Sequence, residues 1–164
     1  GGVTAPAAID GNDNDSVPTE FEPHHDVIRS PSEVQIYESV LGDPAGAVTT
    51  GLLRATQYVK DNRLPPRGFE KRTAPADIAV IGSARQDADF TGDGDRVRYL
   101  IPRRGVAGAL RIDVELRYQP IAFRWADNLR HYAGEEPRRF TSFSHSLAQS
   151  SSTVLASDQA VIAP

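Results

Sequence analysis

The chain reads as mainly β: an antiparallel β-sandwich of jelly-roll or Ig-like type, with one or two short helices near the C-terminal third and an extended N-terminal arm. Three observations predict this class. The 13 Gly and 12 Pro among 164 residues suit a loop-rich β protein better than a helical bundle. Ala109 to Gln119 alternates strictly, with Leu110, Ile112, Val114, Leu116 and Tyr118 on one side and Arg111, Asp113, Glu115 and Arg117 on the other. That is the pattern of an antiparallel strand with one dry face and one wet face. Shorter apolar or β-branched runs, punctuated by Gly, Pro and Asp turns, precede it.

Residues 1–31 contain Pro6, Pro18, Pro23 and Pro31 and little apolar periodicity, so they read as an extended acidic arm with Phe21, Val27 and Ile28 as handholds. A sandwich domain follows over 32–158, and 159–164 reads as a tail. Within the domain, Glu33 to Leu41 alternates as a strand and Gly42-Asp43-Pro44-Ala45-Gly46 turns the chain. Val48 to Asn62 fits a helix or a strand, and its β-branched content and Gly51 favour strand. Pro65-Pro66 and Gly68 end it. Ala76 to Gly82 is a short apolar run, and after the polar loop from Gln86 to Asp95 a strand is expected at Arg96 to Ile101.

Beyond the long strand at Ala109 to Gln119, Phe123 to Leu129 reads as a short helix. Phe140, Phe143 and Leu147 at i, i+3 and i+7 predict a second, with Pro137 in its first turn and Glu135-Glu136 placed where negative charge favours a helix N-terminus. Ser151 to Ala156 returns as a last strand.

Composition removes several function classes. A net charge of −4 and a pI near 5.5 leave no global basic field for nucleic acid or anionic lipid. No apolar stretch reaches the ~18 residues that a membrane span needs. Without Cys there is no disulfide, no thiolate metal site, no cysteine nucleophile and no covalently attached c-type haem. The basic residues are 16 Arg and two Lys, Lys60 and Lys71, a bias that suits bidentate carboxylate pairing or reflects a GC-rich genome. A chain starting Gly1-Gly2-Val3 with no Met is expected to be a proteolytic fragment of a longer, exported precursor, periplasmic or extracellular.

The candidate sites are few. Asp10, Asn12 and Asn14, with Asp13 and Asp15, place oxygen ligands at alternate positions as a calcium loop does; the alternative is a solvated arm. Asp93 and Asp95 flank Gly94 in a second acidic loop, which reads as a calcium site or a hairpin turn. His24 and His25 offer imidazoles that a haem iron in another chain could use as axial ligands. No His spacing suits a zinc protease, and no G-x-S-x-G elbow accompanies Ser144-His145-Ser146. No catalytic residue is assigned, and the chain is expected not to be an enzyme. Tyr37 and Trp125 are candidates for stacking a sugar in an alternative reading: a carbohydrate-binding or adhesion sandwich stabilised by calcium.

Taken in order, GNDND at Gly11 to Asp15, FEPHHDVI at Phe21 to Ile28, VQIYESVLGD at Val34 to Asp43, TTGLLRATQYVKDNRLPPRGFEK at Thr49 to Lys71, APADIAV at Ala74 to Val80 and LRYQPIAFRWADNL at Leu116 to Leu129 resemble the haem-free C-terminal region of bacterial multihaem cytochrome c-family proteins. The resemblance implies a haem-free structural or interaction module of an exported electron-transfer protein, whose CxxCH motifs lie upstream or in another chain. It implies a haem-bearing portion or chain as partner, with haem only there and no intrinsic cofactor beyond the candidate calcium. An extended arm can also add a strand to a second copy, giving a homo-oligomer.

Overall fold

The computed structural model describes residues 21–103 and 108–163. In chain order its elements are β1 (Val27–Ile28), β2 (Ser39–Gly42), β3 (Gln57–Asp61), a single 3₁₀ turn (Ser83–Arg85), β4 (Arg98–Tyr99), β5 (Leu110–Tyr118), α1 (Phe123–Leu129), α2 (Glu135–Ser151) and β6 (Thr153–Ile162). The chain divides into two compact units, Gly1–Leu100 and Ile101–Pro164.

The β-sandwich expected from the sequence is not what forms. Among the described residues the strands pair only two by two: β1 with β4 in parallel, β2 with β3 antiparallel, and β5 with β6 antiparallel. The physical reason lies in where the backbone of the first unit finds its hydrogen bonds. Buried N–H and C=O groups must be paired, but the partner need not be another strand. Here side chains take the place of neighbouring strands. The Glu33 carboxylate accepts from the Arg29 and Ser30 amides, Glu22 from Val34, Gln35 from His25 and Asn62 from Glu38. The Ile36 carbonyl accepts from Lys60 and Asn62 side chains. With these groups satisfied by side chains, the run from Glu33 contributes only Ser39–Gly42 to a sheet, and Val48 to Asn62 contributes Gln57–Asp61. Ala76 to Gly82 holds a single bridge, Ile81 to Asp61.

The interior of the first unit is accordingly mixed. Ile28, Val40, Val80, Ala84 and Phe90 are buried, with Tyr37 and Phe69 packed against the Val80–Ala84–Phe90 cluster. Glu22, His24, Lys60, Asp61 and Asn62 are buried too. Buried polar side chains thus match buried apolar ones in number, so this core is held by a hydrogen-bond network as much as by apolar burial. Part of the expected arm belongs to it, since Glu22, His24 and Ile28 lie inside. The loop at Thr91–Gly94 sits tightly on the chain at Pro66–Phe69: a Cβ on Gly92 would lie 2.7 Å from the Pro66 carbonyl oxygen and 2.8 Å from the Phe69 nitrogen.

In the second unit the sequence pattern is realised more directly. β5 covers the strict alternation, and its partner β6 runs on through the expected tail to Ile162. α1 occupies the expected Phe123–Leu129. α2 begins at Glu135 with Gly134 as its cap, and it carries Glu135, Glu136 and Pro137 in its first turn. The acidic pair complements the positive end of the helix dipole, and Pro137 needs no intrahelical donor there. Ala126 is the one buried hydrophobic residue among the described residues of this unit.

Candidate functional site

The densest chemistry in the chain surrounds His24. Pro23 biases the residue before it to extended backbone, and the chain then carries the His24 ring inward until its side chain is 2% exposed. Nδ1 accepts hydrogen bonds from Gln35 Nε2 at 2.8 Å and Asn62 Nδ2 at 3.1 Å. Nε2 faces Asp87 Oδ2 at 3.1 Å and Asp95 Oδ2 at 3.9 Å. Phe90 meets the ring edge-on at 4.9 Å, and Tyr37 stacks on Phe90 while its hydroxyl donates to Asp95 Oδ2 at 2.6 Å.

The orientation of the two amides decides what His24 can do. Asn62 Oδ1 accepts from the Glu38 amide at 3.0 Å and its Nδ2 donates to the Ile36 carbonyl at 2.9 Å, so its NH₂ side faces the imidazole. Gln35 Oε1 accepts from the His25 amide at 2.7 Å, which likewise turns its NH₂ toward His24. Two anchored donors at Nδ1 require a lone pair there. The proton therefore sits on Nε2 and is donated to Asp87.

Ligand atoms of His24, Asp87 and Asp95 lie within 4.8 Å of one another, close enough to hold a metal ion. The donor set does not fit one. A metal on Nε2 needs Nδ1 to carry the proton, and that proton would point at two N–H groups that cannot accept it. The carboxylates are also engaged: Asp87 Oδ1 accepts from the Asp89 amide, and Asp95 Oδ1 from the Arg96 amide. Burial pushes the Asp87 carboxyl up, but hydrogen bonds from the Asp89 amide and from His24 outweigh it and hold it below the usual range. Burial and the adjacent Asp95 raise the Tyr37 hydroxyl well above its ordinary value, keeping it a donor.

Asp26, Asp87 and Asp89 form a second carboxylate group within the same 4.8 Å limit. Both oxygens of Asp26 accept from Arg98 Nη2, at 3.0 and 2.8 Å. Asp89 is raised above the usual carboxylate range by its hydrogen bond with Asp87, as expected for neighbouring carboxyls that share a proton better than they share two charges.

A cation from another segment, Lys71, reaches the start of the acidic loop. Lys71 Nζ donates to the carbonyls of Ala84 and Asp87 and lies 5.7 Å from the centre of the Phe90 ring. Lys60 does the same elsewhere: its Nζ donates to the Glu22 carbonyl at 2.6 Å, the Ile36 carbonyl at 3.1 Å and Glu38 Oε1 at 3.0 Å. A compact ammonium with three diverging donors can sit among converging carbonyls, whereas a planar guanidinium cannot. Both lysines of the chain occupy sites of this kind, while its other basic residues are 16 arginines.

The residues singled out from sequence are scattered by the fold. Asp10, Asn12, Asp13, Asn14 and Asp15 lie outside the described residues. Asp93 and Asp95 part company across Gly94: Asp95 turns inward to Tyr37, while the Asp93 side chain is 85% exposed and 4.0 Å from Arg67. Thr91 and Gly94 exchange backbone bonds, so the segment is a hairpin turn. His25 Nε2 lies 2.5 Å from Glu22 Oε1 with the ring side chain 13% exposed. An iron reaching Nε2 of either histidine would have to displace Asp87 or Glu22. Tyr37 is committed to Asp95 in the first unit, and Trp125 is a partly exposed residue of α1 in the second. Gln35 and Asn62 were invisible in the sequence as partners of His24, because period-two alternation assigns Gln35 to a wet strand face. The rarity of lysine was the usable signal for Lys60 and Lys71.

No family model, curated protein or solved structure matches the chain. Among the described residues no helix is long and apolar enough to cross a membrane.

Proposed function

We propose that the chain is a non-enzymatic structural and interaction module, itself haem-free, of an exported multihaem c-type electron-transfer protein. Its place would be periplasmic or extracellular, and its partner the haem-bearing portion of the same protein or a companion chain. The reading starts from the linear resemblance over roughly residues 10–156 and from the absence of Cys. The observation that carries it is the state of the second unit. β5 presents Val114, Leu116 and Tyr118 at 48, 39 and 55% exposure, and α2 presents Phe143 and Leu147 at 57 and 53%. A unit of this size with one small buried hydrophobic side chain among its described residues has faces suited to being covered. The polar core of the first unit supports a scaffolding role, since its titratable groups are occupied with one another.

The test is co-expression with the haem-bearing portion encoded in the same reading frame, followed by gel filtration monitored at the Soret band. Co-elution that weakens at least tenfold on Leu116→Glu supports the proposal. A parent frame with neither CxxCH motifs nor a secretion signal, or a haem-bearing portion that elutes separately, overturns it.

A further inference from the structure

We propose that His24 is a proton-operated latch on the chain from Gln35 to Glu38. A second proton on its ring turns over the side-chain amides of Gln35 and Asn62 and so releases the backbone amides of His25 and Glu38. The ring has one place to take that proton. Nε2 already carries a hydrogen toward Asp87, and Nδ1 holds the remaining lone pair between Gln35 Nε2 at 2.8 Å and Asn62 Nδ2 at 3.1 Å. Once Nδ1 is protonated, three donors point at one another, and among the described residues nothing at that nitrogen accepts. The His24 side chain is 2% exposed, so bulk water does not relieve the conflict.

Each amide supplies an acceptor by rotating about its last side-chain bond, and each rotation has a fixed consequence for the backbone. Turning Gln35 brings Oε1 to Nδ1 and takes it from the His25 amide, which it holds at 2.7 Å. Turning Asn62 brings Oδ1 to Nδ1 and takes it from the Glu38 amide, held at 3.0 Å. In both cases an NH₂ group then faces a backbone N–H, which leaves a donor without a partner. The Ile36 carbonyl loses Asn62 but keeps Lys60. The stretch that loosens carries Tyr37, packed against the Val80–Ala84–Phe90 cluster, and leads into β2. A change of charge on one buried ring is thereby transmitted to a segment 11 residues away in sequence.

The charged groups around the ring leave room for both arrangements. Asp87 Oδ2 and Asp95 Oδ2 face Nε2 at 3.1 and 3.9 Å, so an imidazolium lies beside two carboxylates once the amides have turned. Tyr37 donates its hydroxyl to Asp95, Asp89 is hydrogen-bonded with Asp87 and lies near Arg96, and the Lys71 ammonium serves the Asp87 carbonyl. On the Asn62 side, Lys60 pairs with Glu38 and Arg63 with Asp61. Along the chain, His25 is paired with Glu22 and Arg98 with Asp26. His25 is the other imidazole of this unit, and the test separates its titration from that of His24. This inference is independent of any haem-bearing partner.

The experiment is an NMR titration of the full chain from neutral pH downward, with amide hydrogen exchange measured at each step. The His24 ring nitrogens are expected to report the second proton at the pH where the Gln35 and Asn62 side-chain amide signals move. Protection of the Glu38 amide, corrected for the intrinsic pH dependence of exchange, should fall at least about tenfold over the same step, the loss of one hydrogen bond. His25→Gln removes the neighbouring imidazole and should leave that coincidence intact. Gln35→Glu sets a carboxylate oxygen at Nδ1 while its other oxygen still accepts from the His25 amide. In that variant His24 should take its second proton with the His25 amide still protected. A native His24 that takes the proton while the Glu38 amide keeps its protection overturns the proposal. So does a coincidence that disappears in His25→Gln, or a chain that unfolds as a whole before the ring is protonated. Should Gln35→Glu lose its fold, the titration of the native chain decides the matter.

Discussion

Replacing Lys60 by methionine keeps an unbranched side chain one atom shorter and removes its charge and all three donors. In the folded chain the lysine is 2% exposed, and its ammonium serves the Glu22 carbonyl, the Ile36 carbonyl and the Glu38 carboxylate. The three acceptors lose it unequally. The Ile36 carbonyl keeps its bond from Asn62. The Glu22 carbonyl loses a 2.6 Å charge-assisted bond, at about 1–3 kcal/mol for a buried group left short of a donor. The Glu38 carboxylate loses a cation in a setting where breaking an ion pair costs about 3–5 kcal/mol if fully buried. Its side chain is 13% exposed, so water recovers part of this. The sum expected for Lys60→Met is about 3–5 kcal/mol, a large share of the ~5–15 kcal/mol that stabilises an ordinary domain. Urea denaturation followed by the near-ultraviolet dichroism of the tyrosines would measure it. Lys60→Arg should lose at least about 2 kcal/mol, because the planar fork cannot address three converging acceptors. Adding Glu38→Gln to Lys60→Met should recover about 1–2 kcal/mol, the coupling of the pair. A Lys60→Met protein within about 1 kcal/mol of the native chain would refute the claim that an internal ammonium organises this core.

Acid titration tests the Asp87 assignment. Its folded carboxyl lies below the usual range, so it contributes stability above about pH 4 that is lost as pH falls through the folded value. Asp87→Asn should therefore flatten the acid limb of the stability curve. Asp89 is raised and works in the opposite sense, so Asp89→Asn should leave that limb steeper. For His24, long-range proton–nitrogen NMR is expected to find the ring proton on Nε2, with the signal unmoved by added zinc. A proton on Nδ1, or a zinc-dependent shift, would show that the amides of Gln35 and Asn62 are turned the other way.

The second unit was largely legible in the sequence because its elements are specified by neighbours along the chain. Five alternating apolar residues at Leu110 to Tyr118 make β5, and Glu135, Glu136 and Pro137 start α2 where sequence places them. The first unit was not. Glu33 to Leu41 alternates as a strand should, yet its backbone at Val34, Ile36 and Glu38 finds its hydrogen-bond partners in the side chains of Glu22, Lys60 and Asn62, at separations of 12 to 26 residues. Periodicity records which way a side chain faces; it does not record which distant group satisfies the backbone. The same limit governed the sites. Asp93 and Asp95 share a spacing but not a direction, because the turn at Gly94 separates them.

By itself, the sequence determined the helices, the long strand, the absence of thiol chemistry and the lack of a basic field, since each follows from residue type or local spacing. Only the tertiary structure decided that strands pair two by two, that Asn62 and Gln35 hold His24 with its proton on Nε2, and that two lysines act as internal cations. Those outcomes depend on groups brought together from far along the chain, where a buried donor or acceptor takes whichever partner the fold supplies.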